Sequence, residues 1–207
     1  MKPCSRTDGA LQIARRLDWR FLLPEPQLRR VGYCGPENTS LARALAKFSA
    51  SFEILSAAGT AGLTSSFDLI VLVAPALPQM EAASRMLAPA GYLYAEMQSA
   101  WGSLEKSGRL SFAQNFVGLE NYITALQGLG FAEIKAYWHR PSFENAVQII
   151  PVHDERALEY IFSQRAANLL GQLKLATGKS LLKTRWLMRW FQSMSLVACR
   201  VDGSAKL

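Results

Sequence analysis

The sequence predicts an α/β fold, with a mostly parallel sheet and helices on its faces. Four short apolar runs alternate with segments of helical periodicity between residues 30 and 97. A Gly-Pro turn follows the first run, and a Pro-x-Gly turn precedes the fourth. Short apolar strands that alternate with helical segments are typical of parallel sheets with helical crossovers. Such sheets hold ligands beyond the carboxyl ends of their strands, so a ligand crevice is expected there.

The first part of the chain contains the four apolar strands and two helices. The predicted strands are Arg30–Cys34, Phe52–Leu55, Phe67–Val73 and Gly91–Met97. A helix is predicted over Ser40–Phe48, because apolar residues recur on one face. These inward residues are Leu41, Leu45 and Phe48, and the candidate caps are Asn38, Thr39 and Ser40. The second helix, Pro78–Ala88, is ended by Pro89 and Gly91.

The second part of the chain adds three helices, two strands and an extended segment. The predicted elements are helix 120–129, strand 131–139, extended segment 146–152, helix 154–173 capped by Asp154, helix 179–191 and strand 195–201. Residues 101–118 have no clear period and are interpreted as a loop. Residues 1–27 are interpreted as an N-terminal arm, and 28–207 as one domain with a helical insertion over 154–192.

Composition narrows the function classes. The net charge of +7 is compatible with anionic partners, but a solvated basic surface is the favoured interpretation because the basic residues are dispersed. The three cysteines are far apart and there are only two histidines, so neither a disulfide framework nor a metal site is expected. No apolar run is long enough to cross a bilayer. We therefore expect a cytoplasmic protein, with peripheral membrane association left open.

Three motifs, in this order and spacing, resemble those of class I S-adenosylmethionine (SAM)-dependent methyltransferases. Phe67-Asp68 opens an apolar strand, as in the fourth strand of that family. The segment 87–91 resembles the family's Leu-x-Pro-Gly-Gly turn, and 126–131 resembles Leu-x-x-x-Gly-Phe before the sixth strand. The resemblance implies a Rossmann-like sheet, an antiparallel last strand at 195–201, and SAM as the cofactor.

The chain also departs from this family where the cofactor binds. Of the family's Gly-x-Gly-x-Gly loop only Gly35 remains, with Glu37 and Thr39 at the other two positions. Tyr33 replaces the acidic residue that precedes the loop, and Ser56 stands where a ribose-binding carboxylate is expected. Only eleven residues, 56–66, separate the second strand from Phe67, so the middle of the sheet is expected to be shortened.

The resemblance selects candidate site residues, each with an alternative structural role. Those assigned to cofactor binding are Tyr33, Gly35, Glu37, Ser56, Ala74 and Pro75. Gly35 is either a close-approach point for a ligand or a plain turn, and Glu37 either pairs with a cation or favours the helix dipole. The weak catalytic candidates are Glu96, otherwise a solvated strand end, and His139, otherwise a structural hydrogen-bonding group.

Two functions remain open at this point. The chain is either a SAM-dependent methyltransferase acting on a small-molecule, natural-product or glycan-type acceptor, or a catalytically inactive scaffold of the same fold. For the aromatic and basic helix 179–191, burial against the sheet or against a protein partner is favoured over a membrane surface, because its apolar residues surround the helix axis. A third hypothesis, an adaptor for nucleic acid or a membrane surface, has no nucleic-acid motif to support it.

Overall fold

The computed structural model describes residues 6–55, 67–98, 119–163 and 193–201. Its helices are α1 (Arg6–Arg15), a 3-10 helix (Asp18–Leu22), α2 (Ser40–Phe48), α3 (Leu77–Met86), α4 (Leu119–Gly128) and α5 (Glu155–Ser163). Its strands are β1 (Leu28–Cys34), β2 (Ser49–Ile54), β3 (Phe67–Val73), β4 (Leu87–Gln98), β5 (Phe131–Arg140), β6 (Gln148–Pro151) and β7 (Ser193–Arg200).

The seven strands form one sheet in the order β2-β1-β3-β4-β7-β5-β6. Strands β2, β1, β3 and β4 are parallel neighbours, and Val31 of β1 lies opposite Leu69 of β3. Strand β7 is antiparallel to both β4 and β5, so β5 runs parallel to β4. The predicted α/β class, with a mostly parallel Rossmann-like sheet and an antiparallel last strand, is confirmed.

Helices cover both faces of this sheet, which explains the nearly continuous apolar sequence of β3. The strand FDLIVLV is buried at five of its seven positions, as expected for a strand with no solvent face. One core contains Met80 of α3, Leu126 of α4 and Leu158 of α5. A second core, on the other face, contains Leu41 of α2 together with residues of the N-terminal arm.

The N-terminal arm packs on the sheet beside α2. Leu17 and Trp19 are almost completely buried, and the Trp19 indole stacks on the Tyr94 ring of β4. The two ring centroids are 3.7 Å apart and the planes are inclined by 9°. Each large aromatic side chain removes much apolar surface from water, so this stack holds the arm against the centre of the sheet. The arm therefore contributes to the hydrophobic core.

The turn between α3 and β4 differs from the prediction. The helix ends at Met86 and the strand begins at once, whereas the sequence predicted a helix to residue 88 and a strand from residue 91. The register between β3 and β4 shifts in this region, and Ala90 has φ of 56°. Gly91 has no room for a side chain, because a Cβ would lie 2.8 Å from the Ala88 carbonyl oxygen. Local strand pairing with β3 thus overrides the helical periodicity.

Helix caps agree with the sequence, and one inward-facing assignment does not. The Thr39 hydroxyl accepts a hydrogen bond from the Ala42 N–H, and the Asp154 carboxylate accepts two at the start of α5. Phe48 was expected to face inward with Leu41 and Leu45, but it is 36% exposed at the last position of α2. The chain turns directly into β2 there, and the ring is left at the surface.

Several predicted segments lie outside the described residues. These are residues 56–66, loop 101–118, the end of helix 154–173, helix 179–191 and the tail after 201. No helix in the described ranges is long and apolar enough to span a bilayer. Within the same ranges, no group of three or more His, Cys, Asp or Glu side chains is arranged to hold a metal ion.

Candidate functional site

The candidate crevice lies at the carboxyl ends of β1 and β3. The chain runs from β1 to β2 on one side and then crosses to β3 on the other, so the strand order reverses at β1. Ligands of doubly wound sheets bind at such a reversal. The crevice is bordered by the turn 35–39 after β1, by Ala74 after β3 and by the end of β4.

Tyr33 fills the inner side of this turn. Its side chain is fully buried, and its hydroxyl donates to the Pro36 carbonyl oxygen at 3.0 Å. The hydroxyl also lies 3.1 Å from the Thr39 hydroxyl, which caps α2. Burial raises the pKa of Tyr33, so the phenol stays protonated at neutral pH. Tyr33 thus ties the turn to the helix cap and provides no charge.

The Tyr33 side chain leaves no room for a side chain at position 35. A Cβ at position 35 would lie 2.6 Å from the Tyr33 hydroxyl oxygen and 3.0 Å from Cβ of Val73. This contact accounts for glycine at position 35 without a ligand. Glu37, two residues further along, is exposed at the rim of the crevice.

The exit of β3 is held in an unusual backbone conformation. Ala74 has φ of 49°, a region that side chains with a Cβ rarely adopt, and its N–H donates to the Glu96 carbonyl oxygen at 2.7 Å. Pro75 is buried, and its carbonyl oxygen accepts a hydrogen bond from the Tyr122 hydroxyl. These two contacts attach the exit of β3 to β4 and α4.

Glu96, near the end of β4, is buried. The interpretation of this residue as a solvated strand end is therefore wrong. Glu96 is 3% exposed and forms an ion pair with Arg16 of the N-terminal arm, which is 4% exposed. The Nη2–Oε2 distance is 2.6 Å, and the Tyr94 hydroxyl donates to Oε1 at 3.2 Å. Burial opposes the charge on Arg16, yet the hydrogen bond and charge of Glu96 outweigh it and raise the pKa of Arg16. Removing Arg16 would leave the Glu96 carboxylate buried without its ion-pair partner.

The ion pair extends into a network that links the arm to α2. Arg16 also donates from Nε to Glu144 at 3.3 Å, and Glu144 accepts from the Ser40 hydroxyl at the start of α2. Glu144 is 57% exposed, so the network reaches the surface beside the crevice. Arg16 therefore connects the arm, the end of β4 and the helix that follows the turn 35–39.

His139, near the end of β5, faces the same polar interior. It is 2% exposed, and its Nε2 lies 2.7 Å from the Ser195 hydroxyl, which belongs to the neighbouring strand β7. Burial, together with the positive charge of Arg16, lowers the pKa of His139 to about 3. The imidazole is therefore neutral at physiological pH, and with so low a pKa it is a weak base.

The structure groups the candidate residues into two sets. Tyr33, Gly35 and Ala74 lie at the carboxyl ends of β1 and β3. Glu96 and His139 lie on neighbours of β7, where Ser195 is opposite Glu96 in register and hydrogen-bonded to His139. Ser56 lies outside the described residues. The residues that sequence reasoning missed are Arg16, Ser40, Tyr94, Glu144 and Ser195. Arg16 and Glu96 are 80 positions apart, and no local pattern distinguishes this arginine from its neighbour Arg15.

A separate cavity of about 370 Å³ lies between α4 and the amino end of β5. Its polar lining includes Glu120, Glu133 and His153. Because β5 is parallel to β4, this cavity is at the opposite end of the sheet from the crevice. It does not belong to the candidate site.

Comparisons with known proteins agree on the fold. No protein-family model matches the sequence, and no curated protein shows significant similarity to it. A SAM-dependent methyltransferase of Archaeoglobus fulgidus has a TM-score of 0.54 at 12% identity, over 93% of this chain and 94% of that one. A SAM-dependent methyltransferase of Thermotoga maritima has a TM-score of 0.51 at 13% identity, over 93% and 89%.

A third similar structure contains ligands. It is a phosphoethanolamine N-methyltransferase of Haemonchus contortus, solved with phosphomonomethylethanolamine and S-adenosylhomocysteine. The TM-score is 0.50 at 15% identity, and the match covers 94% of this chain and 54% of that one. At such identities the likeness shows the fold alone. The chain has the fold of SAM-dependent methyltransferases.

At two positions where the family resemblance implies contacts with SAM, Tyr33 and Gly35, the groups present interact with each other inside the turn. The position of the ammonium-binding acid carries Tyr33, whose hydroxyl is already bonded inside the turn. The space at Gly35 is taken by the same side chain. Glu37 is the one carboxylate of the turn 35–39, and it lies at the outer rim. Among the described residues of this turn, Glu37 and the backbone are the groups left free to contact a ligand.

Proposed function

We propose that this chain is a SAM-dependent methyltransferase that acts on a small-molecule, natural-product or glycan-type acceptor. The observation that carries the proposal is the strand order, which reverses at β1 and leaves a crevice at the carboxyl ends of β1 and β3. Methyltransferases of the same fold support this choice at the level of architecture. Transfer of the methyl group would convert SAM to S-adenosylhomocysteine, so both ligands should bind at the same site.

The exit of β3 favours acceptors other than exocyclic amines. In the family that the sequence resembles, enzymes that methylate amino groups often carry Asn or Asp at this exit, whereas this chain has Ala74 and Pro75. Neither of the two catalytic candidates is a strong free base, because Glu96 is paired with Arg16 and His139 has a pKa of about 3. An acceptor that is already nucleophilic fits these residues best.

Isothermal titration of the whole chain with SAM and with S-adenosylhomocysteine tests the proposal. We expect binding of both, and about tenfold weaker binding for Glu37→Gln, since a hydrogen bond to a charged group contributes about 1.5–3 kcal/mol. Glu53→Gln is the matched control, because Glu53 is equally exposed but lies within β2. Absence of binding at millimolar ligand would contradict the proposal.

A second candidate is a non-catalytic subunit with the same fold. The specific observation in its favour is Tyr33, which occupies the inner side of the turn where the family places an acid. Tyr33→Glu restores the acidic residue and separates the candidates. If the parent chain binds neither ligand and the variant binds S-adenosylhomocysteine, the non-catalytic role is favoured and Tyr33 is the cause.

A further inference from the structure

We propose that an aromatic and basic patch beside α2 binds the surface of an anionic lipid bilayer. The patch, named here the Phe21–Phe48 patch, combines two aromatic rings and three cations from the 3-10 helix and α2. Its members are Arg20, Phe21, Arg43, Lys47 and Phe48. The proposal does not depend on methyl transfer, because no member of the patch is a candidate crevice residue. Arg43 is the member nearest the crevice, and its Nε donates to the Thr39 carbonyl oxygen at 3.4 Å.

The two rings of the patch are exposed and lie close to cations. Phe21 is 64% exposed and Phe48 is 36% exposed. The Arg20 guanidinium carbon lies 4.9 Å from the Phe21 centroid and 5.6 Å from the Phe48 centroid. The Lys47 ammonium lies 5.8 Å from the Phe48 centroid. Arg20 therefore joins the 3-10 helix and α2 into one surface.

The cations of the patch form no ion pair with the described part of the chain. Among the described residues, no acidic side chain forms an ion pair with Arg20, Arg43 or Lys47. By contrast, Arg29 is paired with Glu25 and Arg30 with Asp68. Arg43 and Lys47 lie one turn apart on α2, whose exposed side carries no acid. The acidic residue next to the patch in sequence is Asp18, which is half-buried. The patch therefore carries a local excess of positive charge, on a chain whose net charge is +7.

Exposed phenylalanine beside unpaired cations matches the chemistry of a lipid headgroup region. Aromatic rings enter the boundary between headgroups and acyl chains, while arginine and lysine remain at the level of the phosphates. Each cation near an anionic leaflet contributes about 1 kcal/mol. Nucleic acid is a weaker match, because proteins bind single strands by stacking bases on open aromatic faces. Here the Arg20 guanidinium already covers one face of each ring.

Vesicle cosedimentation of the whole chain tests this proposal. The vesicles are phosphatidylcholine alone and phosphatidylcholine with phosphatidylglycerol, each at low and high salt. We expect binding to the anionic vesicles only, reduced by salt because exposed charges are screened. Lys47→Gln should weaken the partition coefficient about fivefold, which corresponds to about 1 kcal/mol per cation. Phe21→Ser should reduce the binding that persists at high salt.

Matched controls separate the patch from general charge and hydrophobicity. Lys135→Gln removes one exposed cation from β5, and Val147→Ser replaces a residue that is 81% exposed beside β6. Both should bind like the parent. Equal binding to neutral vesicles, an equal loss in Lys135→Gln and Lys47→Gln, or binding of a single-stranded RNA oligomer in place of vesicles would each overturn the proposal. All four substitutions are at the surface, and an unchanged circular dichroism spectrum verifies folding.

Discussion

Acidification should destabilise the protein through His139. An unfolded histidine has a pKa of about 6.5, whereas burial and the charge of Arg16 lower the pKa of His139 to about 3 in the folded state. Above pH 6.5 His139 is neutral in both the folded and the unfolded state, so the difference between the two pKa values does not affect stability. Between pH 6.5 and pH 3 the unfolded state binds a proton that the folded state does not, so stability falls as pH falls.

The size of the effect follows from the two pKa values. Lowering the pH from 7.5 to 5.0 should reduce the free energy of unfolding by about 2 kcal/mol through this residue alone. Urea denaturation of the parent and of His139→Gln at these two pH values measures the reduction in the free energy of unfolding. The glutamine amide still offers a hydrogen bond to Ser195, and the variant should lose about 2 kcal/mol less than the parent on acidification.

The second histidine provides the control. His153 is exposed and lies outside the network of Arg16 and Glu96, so His153→Gln should keep the full pH dependence of the parent. In the parent, the NMR signal of the His139 imidazole should not titrate between pH 7.5 and pH 4.5. If His139→Gln lost as much stability on acidification as the parent, His139 would not be held neutral by burial and the reasoning would be refuted.

Three further predictions concern stability, each measured as the free energy of unfolding in urea. Arg16→Met should cost about 3–5 kcal/mol because it leaves the buried Glu96 carboxylate unpaired. Arg29→Met breaks an exposed ion pair and should cost less than about 1 kcal/mol. Equal losses in the two variants would contradict the argument from burial. Gly35→Ala should cost about 1–3 kcal/mol because its Cβ would meet Tyr33, while an alanine at Gly128 meets no atom within 4 Å and should be neutral or slightly stabilising. Ala90→Gly should raise the free energy of unfolding by about 0.5–1 kcal/mol. Alanine is strained at φ of 56°, and relief of this strain should exceed the cost of glycine's larger conformational entropy in the unfolded state. A lower free energy of unfolding would show that the turn is unstrained.

Much of the sheet was predictable from local patterns. The run Phe67–Val73 is apolar at nearly every position because both of its faces are covered, and that pattern identified a central parallel strand. Turn chemistry identified the start of α2, where Thr39 provides the cap, and the start of α5, where Asp154 does. The boundary between α3 and β4 was missed because the positive φ at Ala90 and the pairing with β3 are properties of the folded sheet.

The candidate site was only partly predictable. The sequence placed Tyr33 near the end of the first strand and Gly35 directly after it, but their mutual contact depends on where the Tyr33 ring points. It indicated Glu96 and His139 as separate weak candidates. Their shared environment, with Arg16 from the arm and Ser195 from the last strand, arises only when four distant segments pack together.

By itself, the sequence determined the class of fold and the main strands, because periodicity and turn chemistry act between residues close along the chain. Tertiary structure alone decided that Arg16 neutralises Glu96, that His139 is buried as a neutral group, and that Phe48 faces solvent beside Arg20 and Phe21. Burial and charge pairing depend on groups brought together from distant positions, and their energies depend on the water that is excluded between them.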